Sequence, residues 1–462
     1  HYTKNKFIFK FTNNLTIKLF SSYIAKPYSL YLDDSSHNQL STCVNEVNQF
    51  QQGIVICGIE VLSEMIIVFF LVALLFLVNP LASLLIVIIG LILFLLFYSF
   101  TKKKVQEWGY IRQKNEARMI EKVQQSYNGL KEILVYLKEN FFISSFKKIV
   151  DETTSVNIKK QTLLDIPKTI IEVIAIIIFI VIILIIYFYN SSPGYFIPIL
   201  GLYVGVSFKL MPALNRIVVS SQNFRNAKAT LNKISIEMDI YNNNFKSIKE
   251  LKKNDFSLIK FSKNIRLKNI LFKYPSKTID LFNDLNLEIK KGETVGIKGQ
   301  SGEGKSTLIN MICGFIIPNK GEILVDDDFN IKANMRGWRS ILGYIPQQTY
   351  LFNGSLKENI CFSKNGPIDE KSFNEAIDMA QLRDLVNSSP DKENTEVGER
   401  GMLLSGGQIQ RISLARCLYK NPEIMILDEA TSSLDETNEK KILESIRLLK
   451  GKKTIIIVSH RD

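Results

Sequence analysis

The fold of this chain is decided by the stretch Gly299-Gln300-Ser301-Gly302-Glu303-Gly304-Lys305-Ser306-Thr307. It has the spacing G-x-x-x-x-G-K-[ST], and it stands between a strand-like run at residues 293–298 and a helical pattern. Such glycines let backbone N–H groups close around phosphates, while Lys305 can reach the β and γ phosphates and the Ser306 hydroxyl can bind Mg²⁺. The residues predicted to bind nucleotide phosphates are Gly299, Ser301, Gly302, Gly304, Lys305, Ser306 and Thr307.

An apolar run that ends in two carboxylates follows further along the chain, at residues 424–429. It predicts a buried strand, in which Asp428 would hold Mg²⁺, directly or through water, and Glu429 would orient and polarise the attacking water. Such a strand is a weak signal alone, but it becomes specific beside the phosphate-loop motif. From Asn264 onward, short β-rich runs alternate with helical ones, which predicts an α/β layer architecture with ATP and Mg²⁺ as cofactors.

Long apolar runs dominate the first half of the chain. A helix needs about 20 apolar residues to cross a bilayer core, and its backbone groups must be satisfied within the segment. Four runs meet this requirement, at residues 54–78, 81–100, 170–189 and 194–214. The polar stretch between the second and third runs has sparse apolar positions that suit amphipathic helices in the cytoplasm. We therefore predict a polytopic α-helical membrane domain followed by an α/β nucleotide-binding domain.

Basic residues set the orientation of these spans, because they accumulate on the cytoplasmic side. The basic residues beside the spans are Lys102, Lys103, Lys104, Lys159, Lys160, Lys168, Arg216, Arg225 and Lys228. The connectors at residues 79–80 and 190–193 carry no Lys or Arg. Both the start of the chain and its nucleotide-binding half are then predicted to be cytoplasmic.

The chain has a net charge of +13, and its basic residues are concentrated in the same places. Because much of the excess lies at the ends of apolar runs, it indicates membrane topology, and nucleic acid is not predicted as a partner. The five cysteines lie far apart and form no C-x-x-C pair, so the sequence suggests neither a metal site nor a disulfide framework. The chain opens without Met, as a fragment would.

The stretch Leu404-Ser405-Gly406-Gly407-Gln408, at the start of a predicted helix, resembles the signature of ATP-binding-cassette (ABC) proteins. Other landmarks of that family follow in the same order. They are Tyr274 in Phe-Lys-Tyr, Gln347 in Tyr-Ile-Pro-Gln, the run Ser433-Leu434-Asp435, and His460. Each would be an ordinary loop or strand-end residue alone, but their shared order and spacing argue against coincidence.

The resemblance implies a role for each landmark. Tyr274 would stack on adenine, Gln347 would join the Mg²⁺ shell and sense the membrane domain, and His460 would contact the γ-phosphate. The implied catalytic residues are Glu429, His460, Lys305 and Gln347, and the implied Mg²⁺ ligands are Ser306, Gln347 and Asp428. In the family, Ser405, Gly406, Gly407 and Gln408 complete the ATP site of the opposite subunit, which implies a homodimer with composite sites.

The stretch at residues 395–401, just before the signature, resembles a sequence typical of exporters whose membrane domain is fused ahead of the cassette. There it contacts the cytoplasmic ends of the transmembrane helices, and Glu396 is the expected coupling residue. We expect residues 1–240 to form the membrane domain, in the cytoplasmic membrane, and residues 241–462 the cassette. The family has six spans, so four of an expected six are present, and the cassette is expected to continue past residue 462.

The segment at residues 208–217 is similar to the last span of flippases for lipid-linked oligosaccharides and of related polysaccharide exporters. Lys209 and Arg216 would share a helix face about 10 Å apart, a spacing able to hold a diphosphate. Alternatively, both side chains extend to the cytoplasmic interface. Glu60 and Glu64 also share a face, either as buried partners of these cations or on a cytoplasmic extension of the first span.

The predicted function is an ATP-hydrolysing exporter half-transporter for a lipid-linked oligosaccharide or another lipid-like anion. Peptides or hydrophobic drugs are the alternative cargo. A nucleotide-gated regulatory module without turnover is the third class. Glu429, together with Lys305, Gln347 and His460, argues against that class, because such modules often lose the carboxylate that orients water.

Overall fold

The computed structural model divides into two compact units. The first comprises residues 1–26 and 30–252, and the second comprises residues 27–29 and 253–462. The residues that the structure describes are 2–28, 36–78, 80–188, 193–243, 257–274, 279–300, 302–363, 366–430 and 436–459.

The described part of the first unit is helical. Its helices are α1 (Tyr2–Ala25), α2 (Ser36–Ser41), α3 (Val47–Phe50), α4 (Cys57–Val78), α5 (Pro80–Asn128), α6 (Leu130–Val135), α7 (Glu139–Phe188), α8 (Pro193–Asn226) and α9 (Lys228–Asn243). Two π-helical segments, Thr42–Glu46 and Gln51–Ile56, flank α3. Helix α9 continues past the predicted domain boundary at residue 240.

The four predicted spans fall on α4, α5, α7 and α8. Helices α5 and α7 have 49 and 50 residues, and at 1.5 Å per residue each is about 75 Å long, more than twice the thickness of a hydrocarbon core. The two helices therefore continue through the predicted cytoplasmic stretch and pack against each other, with α6 connecting them.

Two stretches of the described chain are long and apolar enough to cross a membrane, His37–Val78 and Gly201–Asn226. The count of four spans therefore stays a prediction. Residues 79 and 189–192, which hold most of the predicted external connectors, lie outside the described residues.

A buried polar network ties one π-helical segment to α5 and α9. Thr230 Oγ1 donates to Glu46 Oε2 at 2.5 Å, and Arg112 Nη2 donates to Thr230 Oγ1 at 3.1 Å. Arg112 Nη1 also lies 2.8 Å from Glu116 Oε2. Glu46 and Thr230 are completely buried. A buried carboxylate is tolerated only when it is paired or hydrogen-bonded, so these contacts specify how the three elements pack.

Two glycines let neighbouring segments approach the end of α8. A Cβ at Gly53 would lie 2.5 Å from Ala227 Cβ, and a Cβ at Gly109 would lie 2.3 Å from the Asn226 carbonyl oxygen. Because side chains do not tolerate such distances, the close packing at both places requires glycine.

The second unit contains both strands and helices. Its strands are β1 (Asn264–Phe272), β2 (Phe282–Lys290), β3 (Thr294–Ile297), β4 (Lys320–Val325), β5 (Phe329–Asn330), β6 (Leu342–Ile345), β7 (Ile424–Asp428) and β8 (Thr454–Val458). Its helices are α10 (Lys305–Ile312), α11 (Met335–Ser340), α12 (Leu356–Cys361), α13 (Glu370–Met379), α14 (Arg383–Ser388), α15 (Gly406–Tyr419) and α16 (Glu436–Arg447). The α/β class predicted for this half is confirmed.

The strands that the structure describes form two sheets. One is antiparallel, in the order β2-β1-β4-β5, and the other is parallel, in the order β3-β8-β7-β6. In the parallel sheet Ile297 pairs with Val458, Asp428 also pairs with Val458, and Ile345 pairs with Leu427. The carboxyl ends of its strands therefore meet at one edge.

The parallel sheet separates two apolar cores. Alternate residues of a strand point to opposite faces, and Ile426 packs in the core that holds Ile309 of α10. Met425 and Leu427 pack in the other core, which holds Ile412 of α15. Helices α10 and α15 therefore cover opposite faces of the same sheet.

Replacing Arg112 with Gln should lower the free energy of unfolding by about 3 kcal/mol, because Glu46 and Glu116 would be left without their cation. The matched control is Arg118→Gln, an exposed position on the same helix, which should change stability by less than about 0.5 kcal/mol. Thermal unfolding of the full chain in lipid nanodiscs, followed by fluorescence, would measure both. Equal unfolding midpoints for the two variants would contradict a stabilising role for the network.

Candidate functional site

The residues predicted for nucleotide chemistry lie at the carboxyl edge of the parallel sheet. The phosphate loop follows β3, Asp428 and Glu429 come at the end of β7, and Gln347 follows β6. This edge is where open α/β sheets bind ligands, because the loops after parallel strands converge there. Ser301, His460 and the run 433–435 lie outside the described residues.

The phosphate loop depends on glycine at two positions of positive φ. Gly302 has φ +89° and Gly304 has φ +97°, and a Cβ at Gly304 would also lie 2.9 Å from the Phe282 ring. Gly304 is the N-cap of α10 and offers no side-chain cap to the helix. The first N–H groups of α10 are therefore not capped from that position, and they carry the partial positive charge that attracts an anion.

The Lys305 and Thr307 side chains both make hydrogen bonds within the second unit. Lys305 Nζ donates to the carbonyl oxygens of Gly299, at 2.6 Å, and Gln300, at 2.8 Å. Thr307 Oγ1 lies 2.9 Å from the Tyr274 hydroxyl, and the Tyr274 ring packs edge-on against Phe272. Ser306 is exposed at the start of α10. Contact with phosphates would require Lys305 to exchange two carbonyl oxygens for phosphate oxygens.

Asp428 is a buried carboxyl with a neighbouring negative charge. Burial raises its pKa, and the Glu429 carboxylate raises it further. The Tyr344 hydroxyl donates to Asp428 Oδ2 at 3.4 Å, and the pKa of Tyr344 is raised by burial and by Asp428. A cation beside Asp428 would offset the cost of its burial as an anion.

These residues fit Mg²⁺ that is shared with phosphates. Mg²⁺ in nucleotide enzymes commonly takes one or two carboxylates together with water and phosphate oxygens. Asp428 supplies a carboxylate, Ser306 a hydroxyl and Gln347 an amide. The described residues contain no group of three or more His, Cys, Asp or Glu that could hold a metal by itself. Such a donor set suits an ion that arrives with the nucleotide.

Glu429 and Gln347 meet although they follow different strands. Gln347 Nε2 donates to Glu429 Oε2 at 2.6 Å. Glu429 has φ +50°, a conformation that non-glycine residues rarely adopt, and its N–H donates to the Val458 carbonyl of β8. Strained backbone of this kind is concentrated at functional sites. This backbone conformation turns the chain at Glu429 away from the direction of β7, and the Glu429 side chain reaches Gln347.

The signature residues form the N-terminus of α15. Ser405 is the N-cap: its Oγ accepts from Gln408 N at 3.3 Å, and Gln408 Oε1 accepts from Ser405 N at 2.8 Å. Gly406 and Gly407 begin the first turn. Because α15 and α10 cover opposite faces of the sheet, the signature helix lies across the sheet from the phosphate-loop helix of its own chain.

The stretch predicted for coupling is anchored to the start of α12. Val397 N donates to the Gly354 carbonyl at 3.0 Å, and Leu356 N donates to the Thr395 carbonyl at 2.9 Å. Between them, the Glu396 side chain is exposed. Its backbone is held while its carboxylate stays accessible.

In the first unit, Arg216 and Lys209 differ in their surroundings. Arg216 makes a two-point contact with Glu64, at 2.7 Å from Nε to Oε1 and 3.2 Å from Nη2 to Oε2. Lys209 is exposed. Glu60, the other glutamate of α4, accepts a hydrogen bond from the Ser220 hydroxyl, at 2.9 Å to Oε2. Glu64 is thus the partner of a cation on α8, and its position relative to the membrane stays a prediction. Arg216 is therefore already neutralised by a carboxylate of this chain.

Sequence reasoning assigned no role to two residues that the structure brings into the site. Tyr344 bonds to Asp428 from the adjacent strand, and Glu303 bonds inside the phosphate loop. The position of Tyr344 next to the end of β6 was a usable signal, because a strand-end side chain can reach its neighbour. Glu303 occupies a variable position of the loop motif, which carries no signal of its own.

Two family models match the chain. Residues 4–207 match the ABC transporter transmembrane region, and residues 282–432 match the ABC transporter model. Three known proteins indicate how far the likeness extends. An ATP-dependent lipid A-core flippase of Pseudoalteromonas translucida is 28% identical over 456 residues, covering 97% of this chain and 76% of that protein.

The other two proteins match different fractions of this chain. ABC transporter B family member 3 of Dictyostelium discoideum is 41% identical over 200 residues, so the match covers 43% of this chain and only 14% of that relative. The structure of a bacterial Atm1-family ABC exporter with ATP bound shares the fold, with a TM-score of 0.85 and 20% identity over 99% of this chain and 79% of that chain. The chain belongs to the ABC transporters and joins that family's transmembrane region to its cassette in one polypeptide.

Proposed function

We propose that the protein is one subunit of an ATP-driven exporter of the cytoplasmic membrane, with its cassette in the cytoplasm and a lipid-like anion as cargo. The observation that carries this proposal is the group of Lys305, Asp428, Glu429 and Gln347 at one sheet edge, in a chain that also contains a transmembrane region. These are the residue types that phosphoryl transfer to water requires.

Each side chain has a distinct task in hydrolysis. Lys305 and the N–H groups at the start of α10 bind the phosphates, since both present positive charge to the same loop. Glu429 orients the attacking water and accepts a proton from it. For this, the hydrogen bond from the Gln347 amide to the Glu429 carboxylate must first break. Mg²⁺ held by Asp428, Ser306 and Gln347 would neutralise charge on the phosphates. Tyr274 is assigned to the adenine, and His460 to the γ-phosphate.

The position of the signature supports a homodimer with composite sites. Helix α15 covers the face of the parallel sheet opposite α10, so Ser405 of one chain is separated from Lys305 of the same chain by the sheet. A second copy can bring its own Ser405, Gly406 and Gly407 to the ATP. Two anion-binding helix ends around one ATP would exclude water and add donors to the phosphates.

The cargo proposal depends on Lys209 more than on Arg216. Glu64 already neutralises Arg216, whereas Lys209 is exposed seven residues earlier on α8. One relative that matches nearly the whole chain is a lipid A-core flippase, which supports cargo that combines a lipid with anionic groups. We assign the contact with a cargo phosphate to Lys209 and the positioning of α8 against α4 to the Arg216–Glu64 pair.

Replacing Glu429 with Gln should preserve ATP binding and lower turnover by about a hundredfold or more, because the amide cannot accept a proton from the water. Phosphate release by the full chain in nanodiscs and equilibrium ATP binding would be measured together. The matched control is Glu423→Gln, at the other end of β7, which should leave turnover nearly unchanged. Phosphate release at the wild-type rate from Glu429→Gln would remove this residue from its assigned role.

Mixed dimers test the composite sites. If Lys305→Ala is placed in one subunit and Ser405→Arg in the other, both defects fall in one site and the second site stays intact. If one subunit carries both changes, each site has one defect. We expect nucleotide trapping to persist at about half the wild-type level in the first arrangement only. Equal trapping in both arrangements would contradict sites that are shared between subunits.

The cargo assignment predicts different results for the two cations of α8. Lys209→Gln should slow the flipping of a fluorescent polyprenyl-diphosphate glycan in proteoliposomes by about tenfold or more, because a charge-assisted hydrogen bond would be lost. Replacing Glu64 and Arg216 together by Gln, which conserves net charge, should retain most flipping. The control is Lys228→Gln, an exposed position at the start of α9. Unimpaired flipping by Lys209→Gln would overturn the assignment and leave the ATPase proposal standing.

A further inference from the structure

Among the described residues of the cassette, three glutamates make the same local hydrogen bond, in which the carboxylate accepts from the backbone N–H three residues earlier. The pairs are Lys290 N to Glu293 at 2.9 Å, Ser355 N to Glu358 at 3.0 Å, and Gln300 N to Glu303 at 2.8 Å. The first closes a turn, and the second belongs to the cap of α12. The third lies inside the phosphate loop, where a negative charge would repel the phosphates of ATP.

The Glu303 carboxylate is closely packed in the loop. A Cβ on Gly299 would lie 2.3 Å from Glu303 Oε2, so the carboxylate occupies the space that a side chain at 299 would take. Glu303 N also donates to the Gln300 carbonyl at 3.4 Å. On the other side, Lys305 Nζ bonds to the carbonyls of Gly299 and Gln300. Residues 299 and 300 are thus held by an anion and a cation of the same loop.

The charge of Glu303 has a second consequence. The loop is built to surround phosphates, and its other features, the helix terminus and Lys305, attract anions. An exposed carboxylate within about 10 Å of a phosphate weakens binding about twofold for each phosphate charge at low ionic strength. Free ATP carries two more negative charges than its Mg²⁺ complex, so the penalty is larger for the free nucleotide.

We infer that Glu303 is a positioning and specificity-determining residue, which holds the phosphate loop in shape without nucleotide and favours ATP that arrives with Mg²⁺ over free ATP. This inference rests on the proposed function of the site as an ATP site. The charge of Glu303 would thus favour Mg²⁺-bound ATP over free ATP, in addition to the effect of direct Mg²⁺ ligation by the site.

The test is the ratio of dissociation constants for ATP in EDTA and for ATP with Mg²⁺, measured on the full chain in nanodiscs. Glu303→Gln keeps an acceptor for Gln300 N but removes the charge, so this ratio should fall about fourfold, chiefly through tighter binding of free ATP. The difference from wild type should shrink in 0.5 M salt, because salt screens an exposed charge. A purely structural role would not change the ratio.

Glu293→Gln is the matched control, because it alters the same kind of hydrogen bond at the opposite end of β3 and should leave the ratio unchanged. Glu303→Ala removes both charge and acceptor, so it should match the Gln variant in ratio but bind both forms more weakly. Equal ratios in wild type and Glu303→Gln would overturn selection by charge, and identical affinities in the Gln and Ala variants would overturn the positioning role.

Phosphate release, measured in parallel, separates this inference from the proposed function. If the ratio falls in Glu303→Gln as expected but the wild-type protein releases no phosphate, the proposed ATPase is overturned and the assignment of Glu303 is supported. Normal turnover with ratios that do not respond to Glu303→Gln would overturn the inference alone.

Discussion

Backbone hydrogen bonding between β7 and its two parallel neighbours brings the residues of the proposed ATP site together. Asp428 pairs with Val458 of β8, and Leu427 pairs with Ile345 of β6, so the three strands end at nearly the same level. Had one neighbour run antiparallel, its loop would have left at the opposite edge. The register therefore places Gln347 within hydrogen-bond distance of Glu429, and the phosphate loop at the same edge.

The same sheet also separates the phosphate-loop helix from the signature helix. Residue alternation along β7 sends Ile426 to the core beneath the phosphate-loop helix and Met425 to the core beneath the signature helix. The two helices whose N-termini we assign to anion binding thus pack in different cores. This division gives a physical reason for an ATP site that two chains would complete.

Three charged groups of the proposed ATP site hydrogen-bond to uncharged groups of the same chain. Lys305 bonds to two carbonyls, Glu303 accepts from a backbone N–H, and Glu429 accepts from Gln347. Each contact uses hydrogen-bonding capacity of a charged group, and Lys305 and Glu429 are groups that we assign to the reaction. Under the proposed function, ATP would exchange the contacts of Lys305 and Gln347, so part of the interaction energy of the nucleotide would be spent on reorganising the site.

The sequence by itself determined the phosphate loop, the carboxylate strand, the signature and the division into an apolar helical half and an α/β half, because these depend on residue spacing within short segments. Only the tertiary structure decided which distant groups meet. Arg216 pairs with Glu64, 152 residues away, and Tyr344 reaches Asp428 across a strand pair. Nothing in local spacing specifies such partners, since they follow from how whole helices pack and how strands align. For that reason the two cations of α8, equivalent in the sequence, differ in the folded protein.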